Sequence, residues 1–207
     1  IMLDKMERQQ ELEYENEARF NHLHAIGKHI EDTLREKIGS DLIQVDNPMR
    51  TEGNTIVEDV QNGQDIVVRI KNGEEWVDIF YVEVKSKWDF SEPAHMSTRQ
   101  VRMAALHPNE YALCCVDLRK HKHEDLENLP TEIILECTNV KMGIGEILNP
   151  MLKAILEADN RSDDEQIKIS EYRSNMGASI FEKGDSLDVL LNTIETKIRQ
   201  KLSSMSS

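Results

Sequence analysis

The sequence predicts an α/β fold in which a central mixed β-sheet is flanked by helices. Three observations lead to this fold class: an amphipathic helical stretch before residue 39, a hairpin pattern between residues 66 and 85, and a nearly continuous apolar run at residues 111–118. The first has helical periodicity and the second has the alternation of strands. The third is typical of a central strand that is buried on both faces.

The first predicted helix covers residues 3–38. Its first half, up to residue 17, is polar almost all round, which suits a helix that bridges solvent or links to an upstream domain. The second half carries apolar residues spaced three or four apart, which we expect to face the core. These residues are Phe20, Leu23, Ile26, Ile30, Leu34 and Ile38. We expect Gly39 to end the helix.

The middle of the chain is predicted to be strand-rich. Val57 and Val60 indicate a short strand, and residues 66–70 and 76–85 form two longer ones. Between these two, Asn72-Gly73 is predicted to supply a two-residue hairpin turn. After these strands, Ser97 and Gln100 are predicted to form a capping box that begins a helix. Two strands are predicted at residues 111–118 and 131–137, followed by a helix at 147–158. Residues 167–172 and 178–181 are predicted to form a hairpin, and Ser186 begins a last amphipathic helix.

The charge of the chain bears on its partners. Its 25 basic and 39 acidic residues give a net charge of −14, which argues against a protein that coats nucleic acid nonspecifically. Residues 85–122 nevertheless hold seven basic and four acidic residues, so this window is net +3. A local basic face of this kind can approach a phosphodiester backbone. Within the window, Lys87, Arg99 and Arg102 are predicted to contact nucleic acid.

Other features of the composition predict a cytoplasmic protein without a membrane partner. No stretch approaches the roughly 18 apolar residues that a membrane span needs, and no signal peptide opens the chain. Cys114, Cys115 and Cys137 lie in apolar runs and are predicted to be buried thiols rather than a disulfide or zinc site. Because the chain opens on Ile1 rather than Met, we expect it to be a fragment of a longer protein.

Three charged residues are brought together by the predicted hairpin. Asp65 comes early on its first strand, and Glu83 and Lys85 come late on its second. Residues i and i+2 of a strand share a face, so Glu83 and Lys85 point the same way. Charged side chains at the end of a hydrophobic strand are costly unless they pair or bind a metal. The alternative is an exposed ion pair of Glu83 with Lys85, worth at most about 1 kcal/mol.

The chemistry of these residues suits phosphodiester hydrolysis. Asp65 and Glu83 can hold Mg²⁺ or Mn²⁺ through oxygen ligands, and the backbone carbonyl of Val84 can supply another. Such a cation lowers the pKa of a bound water and stabilises charge on phosphate oxygens. Lys85 can orient the attacking water or neutralise developing negative charge. The predicted active site is therefore metal-dependent.

This arrangement resembles the PD-(D/E)XK nuclease superfamily, and the resemblance implies a restriction-endonuclease-like core. Gly27-x-x-x-Glu31 on the first helix is similar to the start of Mrr-type members, which implies that Glu31 lies near the metal. Gln100, on the helix after the Glu-x-Lys strand, matches a Gln often found there near the scissile phosphate. Read without the resemblance, Glu31 is a helix-surface acid and Gln100 a capping residue.

A narrower likeness is to the NO VEIN C-terminal domain family. It rests on the runs Gly63-x-Asp65-Ile66, Tyr81-Val82-Glu83-Val84-Lys85-Ser86 and Tyr111-Ala112-Leu113. That domain often ends long proteins whose front part is a sacsin-like or helicase-type ATPase, which implies an upstream ATPase domain or a partner protein. Gln64 replaces the Pro of the superfamily name, and Met103 and Ala104 stand where an aromatic often follows the Gln. Neither departure removes a metal ligand.

These observations lead to a main hypothesis and two alternatives. The main one is a Mg²⁺-dependent deoxyribonuclease, the nuclease module of a larger bacterial defence or restriction protein. Its predicted parts are a polar leading helix or linker at residues 1–19, a nuclease-like core at 20–128, and a C-terminal extension of the same domain at 129–207. The first alternative is a catalytically inactive module that binds nucleic acid or a partner protein. The second is a homo-oligomer assembled through the two terminal helices.

Overall fold

The computed structural model describes residues 2–44, 55–58, 65–88, 93–121, 128–161 and 173–205, and the fold is given for these ranges. The helices are α1 (Met2–Gln44), α2 (Thr98–Leu106), α3 (Thr131–Glu136), α4 (Ile144–Arg161) and α5 (Leu187–Met205), with a short 3-10 helix at Ala178–Phe181. The strands are β1 (Thr55–Glu58), β2 (Ile66–Asn72), β3 (Glu75–Lys87), β4 (Ala94–Ser97), β5 (Tyr111–Asp117), β6 (Thr138–Met142) and β7 (Arg173–Met176).

A five-stranded mixed sheet organises the fold, with the strand order β1-β2-β3-β5-β6. β3 and β5 run parallel, whereas the other neighbouring pairs of this sheet are antiparallel. β4 and β7 form a separate antiparallel ribbon. The predicted α/β fold with a central mixed sheet and flanking helices is confirmed. The parallel pair aligns Glu83 with Leu113 and Lys85 with Cys115, so the charged part of β3 lies beside the buried strand β5.

Two apolar cores lie on the two faces of the sheet, because successive strand residues point to opposite sides. The first core lies under α1 and α5 and includes Ile26, Ile30, Leu34, Leu190, Ile194 and Ile198. The second core lies under α2 and α4 and includes Val101, Ala104, Ile144, Leu148 and Leu152. The residues of β5 alternate between the two, as the prediction of a strand buried on both faces requires.

Helix α1 differs from the prediction at both ends of its apolar stripe. Four stripe residues are fully buried: Ile26, Ile30, Leu34 and Ile38. Phe20 was expected among them, but it is 68% exposed and stacks on His24. Gly39 does not end the helix, which continues for five more residues. An ion pair between Lys37 and Asp41 spans the glycine, and such pairs offset part of its low helix propensity.

The predicted hairpin is confirmed, with a shift of one residue at its turn. β2 and β3 stay paired as far as Asn72 and Glu75, so the turn residues are Gly73 and Glu74 rather than Asn72 and Gly73. Gly73 has a φ of 63°, and a glycine with positive φ at the first turn position is typical of a type II′ hairpin. The predicted strand at Val57 is β1, whereas Val60 lies outside the described residues.

Two predictions in the second half of the chain are wrong. Residues 131–136 form helix α3 instead of a strand, and the strand is the next segment, β6. A short apolar run such as Ile133-Ile134-Leu135 has no periodicity that separates the two states. Residues 178–181 form a 3-10 helix rather than a hairpin strand, and β7 pairs with β4. The helices predicted at 147–158 and from Ser186 are confirmed as α4 and α5, while residues 167–172 lie outside the described ranges.

The three cysteines are free thiols, with Cys114 and Cys115 buried and Cys137 partly buried. The Sγ atom of Cys137 lies 3.2 Å from Nε2 of His121. In the described part of the chain, no helix is both long enough and apolar enough to cross a membrane.

Candidate active site

Three elements bring the candidate site together. Asp65 stands immediately before β2, Glu83 and Lys85 lie on β3, and Gln100 lies in the first turn of α2. Because Tyr81 belongs to the second core, alternation along β3 places Glu83 and Lys85 on that same face of the sheet. The predicted trio and Gln100 therefore meet where α2 covers the sheet.

Direct contacts hold the four residues. The Val84 backbone N–H donates to Oδ2 of Asp65 at 2.7 Å, which ties Asp65 across the hairpin to β3. Nζ of Lys85 donates to Oε1 of Glu83 at 2.5 Å, and Nε2 of Gln100 donates to the same oxygen. Glu83 is 0% exposed, whereas the side chain of Lys85 keeps 20% of its surface accessible. The site thus has a buried carboxylate and an ammonium that reaches solvent.

The electrostatics of the site centre on Glu83. Burial, and next the negative charge of Asp65, raise the pKa of Glu83 to about 8, while Lys85 acts in the opposite direction. Oε1 of Glu83 has two donors, but Oε2 has no hydrogen-bond donor among the described residues. An ionised Glu83 therefore leaves one buried oxygen without a partner beside a second carboxylate. Positive charge at this position would remove that cost.

Gln100 caps α2 and also contacts Glu83. It completes the capping box of α2: its Oε1 accepts from the Ser97 backbone N–H at 2.8 Å, and its own N–H donates to the Ser97 hydroxyl oxygen at 3.3 Å. The prediction of a capping box is confirmed. The other end of the same amide donates to Glu83. The cap fixes the orientation of Gln100, and so it also fixes the donor that holds Glu83.

Glu31 approaches from a different side. It lies on α1, which packs on the first core, whereas Glu83 faces the second. Its carboxylate accepts hydrogen bonds from Lys28 at 3.3 Å and Arg35 at 2.6 Å. Burial, and next the negative charge of Asp65, raise the pKa of Glu31, and the two cations oppose this. Glu31 is therefore within electrostatic reach of Asp65 while two basic side chains hold it, and its role as a metal ligand stays a prediction.

The donors at Asp65 and Glu83 fit a divalent cation of the Mg²⁺ or Mn²⁺ kind. Both side chains are carboxylates, which are the ligands that these ions prefer. Oε2 of Glu83 accepts no hydrogen bond in the described structure, so it is available to a cation. Within the described ranges, no group of three or more His, Cys, Asp or Glu side chains is arranged to hold a metal ion. Asp65 and Glu83 are therefore the two carboxylates that the described residues bring together here. The predicted Val84 carbonyl ligand stays a prediction.

The residues predicted to contact nucleic acid differ in exposure. Arg99 and Arg102 are exposed on α2. Lys87 is 7% exposed, and this burial does not favour the predicted contact with phosphate. In the same basic window, Nε and one Nη atom of Arg119 donate to the two carboxylate oxygens of Asp117 at 2.8 and 2.7 Å. The positive charge that this window exposes is therefore smaller than its formal charge.

The segment that holds Asp65, Glu83, Lys85 and Gln100 matches a known family. Residues 42–127 match the family model described as Protein NO VEIN, C-terminal. The match supports the resemblance seen in the sequence, and the matched segment contains Asp65, Glu83, Lys85 and Gln100 but not Glu31. It covers less than half of the chain. No curated protein and no solved structure gives a match.

One buried polar group beside this cluster, Tyr111, has no distinguishing signal in the periodicity of the sequence. Tyr111 begins β5 and belongs to the apolar run that predicts a central strand. It is fully buried, and its hydroxyl has no partner among the described residues. The available signal was a hydroxyl in an otherwise apolar run, but its significance depends on the pairing of β5 with β3, which no local pattern reveals.

Proposed function

We propose that this chain is a metal-dependent nuclease that hydrolyses phosphodiester bonds in DNA, with Asp65, Glu83 and Lys85 as its active site. One observation carries the proposal. Glu83 is fully buried beside Asp65, and one of its oxygens lacks a hydrogen-bond donor in the described structure. A buried carboxylate whose pKa is raised by desolvation and by a neighbouring charge marks a candidate functional site.

A divalent cation accounts for this arrangement better than packing does. A bound Mg²⁺ or Mn²⁺ would supply a water of lowered pKa and positive charge at the phosphate oxygens. Asp65 and Glu83 are the side chains that would hold it. The Val84 N–H occupies one oxygen of Asp65, and Lys85 and Gln100 occupy one oxygen of Glu83. Oε2 of Glu83 thus has no hydrogen-bond donor in the described structure that would compete with a cation.

Lys85 and Gln100 have separate roles in the proposed reaction. Lys85 is the partly exposed ammonium of the cluster, so it can neutralise charge that develops on a phosphate outside the buried carboxylates. Gln100 orients Glu83 through its hydrogen bond. On the exposed surface of α2, Arg99 and Arg102 are positioned to contact the nucleic-acid backbone by charge alone.

The wider setting is part of the proposal. The strand-borne Asp and Glu-x-Lys residues, with a following Gln helix, are similar to the PD-(D/E)XK superfamily, and the NO VEIN C-terminal match covers this segment. We propose that the chain is the nuclease module of a larger bacterial defence or restriction protein in the cytoplasm. This module would act together with an ATPase domain of the same protein or with a partner protein. DNA is the proposed substrate.

Isothermal titration with Mn²⁺ tests the metal site directly. The wild-type chain should bind Mn²⁺ with a stoichiometry near one, and Asp65→Asn and Glu83→Gln should each weaken binding at least tenfold. Lys71→Met is a matched control, because Lys71 is an exposed lysine near the hairpin turn. It should leave binding unchanged. Wild-type protein that binds no Mn²⁺ would contradict the proposal.

A binding module without catalysis is the second candidate. It is favoured by the absence, in the described ranges, of a third acidic or histidine ligand grouped with Asp65 and Glu83. This candidate requires DNA binding that is independent of divalent cations. Fluorescence anisotropy with labelled DNA in EDTA, beside the same titration with Mn²⁺, separates the two. Cation-independent DNA affinity together with no Mn²⁺ binding would support the module.

A further inference from the structure

Tyr111 is the buried polar residue that the proposed site leaves unused. It is 0% exposed, and its hydroxyl oxygen has no hydrogen-bond partner within the described ranges. A buried hydroxyl without a partner is unfavourable, and a phenylalanine of the same shape would avoid this cost. A tyrosine at this position therefore requires a reason other than packing.

The pairing of β3 and β5 places Tyr111 close to Glu83. Tyr111 lies opposite Tyr81, and Glu83 lies opposite Leu113, so Tyr111 and Glu83 are diagonal neighbours on one face of adjacent parallel strands. Strands spaced about 4.8 Å apart with a rise of about 3.3 Å per residue put their Cα atoms roughly 8 Å apart, within reach of a tyrosine side chain. Burial, and next the negative charges of Glu83 and Asp65, raise the pKa of Tyr111.

The Tyr111 hydroxyl and Oε2 of Glu83, which both lack a hydrogen-bond partner in the described structure, are chemically complementary. A phenol hydroxyl is a donor, and Oε2 of Glu83 is an acceptor without a donor. We propose that Tyr111 is a positioning residue for Glu83: its hydroxyl would donate a hydrogen bond to Oε2 in the cation-bound protein. Lys85 and Gln100 hold one oxygen of Glu83, and Tyr111 directs the other.

This assignment rests on the proposed function, because it gives Tyr111 a role in orienting a cation-binding carboxylate. Removing a residue that hydrogen-bonds to a metal ligand typically weakens metal affinity by about 10–100-fold. If Tyr111 only fills space in the second core, the loss of its hydroxyl changes nothing at Glu83. The two readings therefore differ in one measurable quantity, the affinity for the cation.

Tyr111→Phe tests the assignment by removing one oxygen atom and keeping the ring. Tyr81→Phe is a matched control: Tyr81 lies opposite Tyr111 in the same core, but its hydroxyl donates to Asp78 at 3.1 Å. Isothermal titration with Mn²⁺ should give an affinity about tenfold weaker for Tyr111→Phe and an unchanged affinity for Tyr81→Phe. In EDTA, thermal unfolding of Tyr111→Phe should begin no earlier than that of the wild type.

The outcomes separate this inference from the proposed function. Equal Mn²⁺ affinity of Tyr111→Phe and the wild type overturns the role of Tyr111 and leaves the metal site standing. A weaker affinity that comes with an equal loss of thermal stability also overturns it, because the hydroxyl then acts on the fold. A wild type that binds no Mn²⁺ overturns both proposals. Reduced affinity with stability intact, and an unaffected Tyr81→Phe, supports the assignment.

Discussion

Replacing Glu83 by Gln should stabilise the protein at alkaline pH, by an amount that increases with pH. Glu83 is fully buried beside Asp65, and its pKa is raised from 4.5 to about 8 by burial and next by the charge of Asp65. Gln has the same shape and no charge at any pH. It also keeps an oxygen that can accept the hydrogen bonds from Lys85 and Gln100.

The raised pKa determines the direction and the pH range of the effect. Below pH 4.5, Glu83 is protonated in both the folded and the unfolded chain, so the stability that the neutral group contributes is fully present. As the pH rises from 4.5 to about 8, the unfolded chain has released this proton and the folded chain still retains it, so stability falls. At about 1.4 kcal/mol per pKa unit, the full loss is on the order of 5 kcal/mol.

Urea unfolding followed by circular dichroism measures this loss. The free energies of unfolding of wild type and Glu83→Gln should be compared in EDTA at several values between about pH 5 and pH 9. Their difference should be small at the acid end and several kcal/mol in favour of Glu83→Gln at the alkaline end. The control is Glu74→Gln, in the exposed hairpin turn, which should differ from wild type by no more than about 0.5 kcal/mol throughout. A Glu83→Gln difference that does not change with pH would refute the reasoning.

Three further substitutions test the surroundings of the site. A Cβ atom at Gly27 meets nothing within 4 Å, so Gly27→Ala should raise the free energy of unfolding by about 0.5–1 kcal/mol; a lower value in urea unfolding would contradict this. A Cβ atom at Gly145 would lie 1.9 Å from the Ala104 carbonyl oxygen, so Gly145→Ala should displace α2 and lower stability by about 1–3 kcal/mol, and an unchanged unfolding midpoint would argue against the close approach. Ser97→Ala removes only the cap and should lower the free energy of unfolding by about 1 kcal/mol. Gln100→Ala should in addition weaken Mn²⁺ binding about tenfold. Equal Mn²⁺ affinities of these two variants in calorimetry would show that Gln100 acts only as a cap.

The elements around the site were predictable because their signals are local. Alternation along β3 places Glu83 and Lys85 on one face whatever the rest of the fold does. The spacing of Ile26, Ile30 and Leu34 fixes the buried side of α1 in the same way. A glycine in the hairpin turn needs only its neighbours to be recognised. The fold class and the candidate trio could therefore be derived from sequence.

The errors come from features that depend on distant partners. The Ile133-Ile134-Leu135 run suits a helix or a strand equally, and its neighbours in space decide between them. Phe20 continues the apolar period of α1, but it lies outside the part of the helix that the sheet covers. The unpartnered hydroxyl of Tyr111 has meaning only through the parallel register of β3 and β5. Likewise, the hydrogen bond from Gln100 to Glu83 joins residues 17 apart in sequence, on different elements.

Cleavage of supercoiled plasmid DNA tests the central claim most directly. The wild-type chain should be incubated with Mg²⁺ or Mn²⁺ beside Lys85→Met, with Lys71→Met as the control for loss of a lysine. We predict metal-dependent cutting by the wild type and by Lys71→Met, and none in EDTA. Lys85→Met should lose at least a hundredfold in rate, because it removes the ammonium that we propose neutralises charge on the phosphate. Cutting by Lys85→Met at the wild-type rate would contradict the account, because the activity would then arise outside the Asp65, Glu83 and Lys85 cluster.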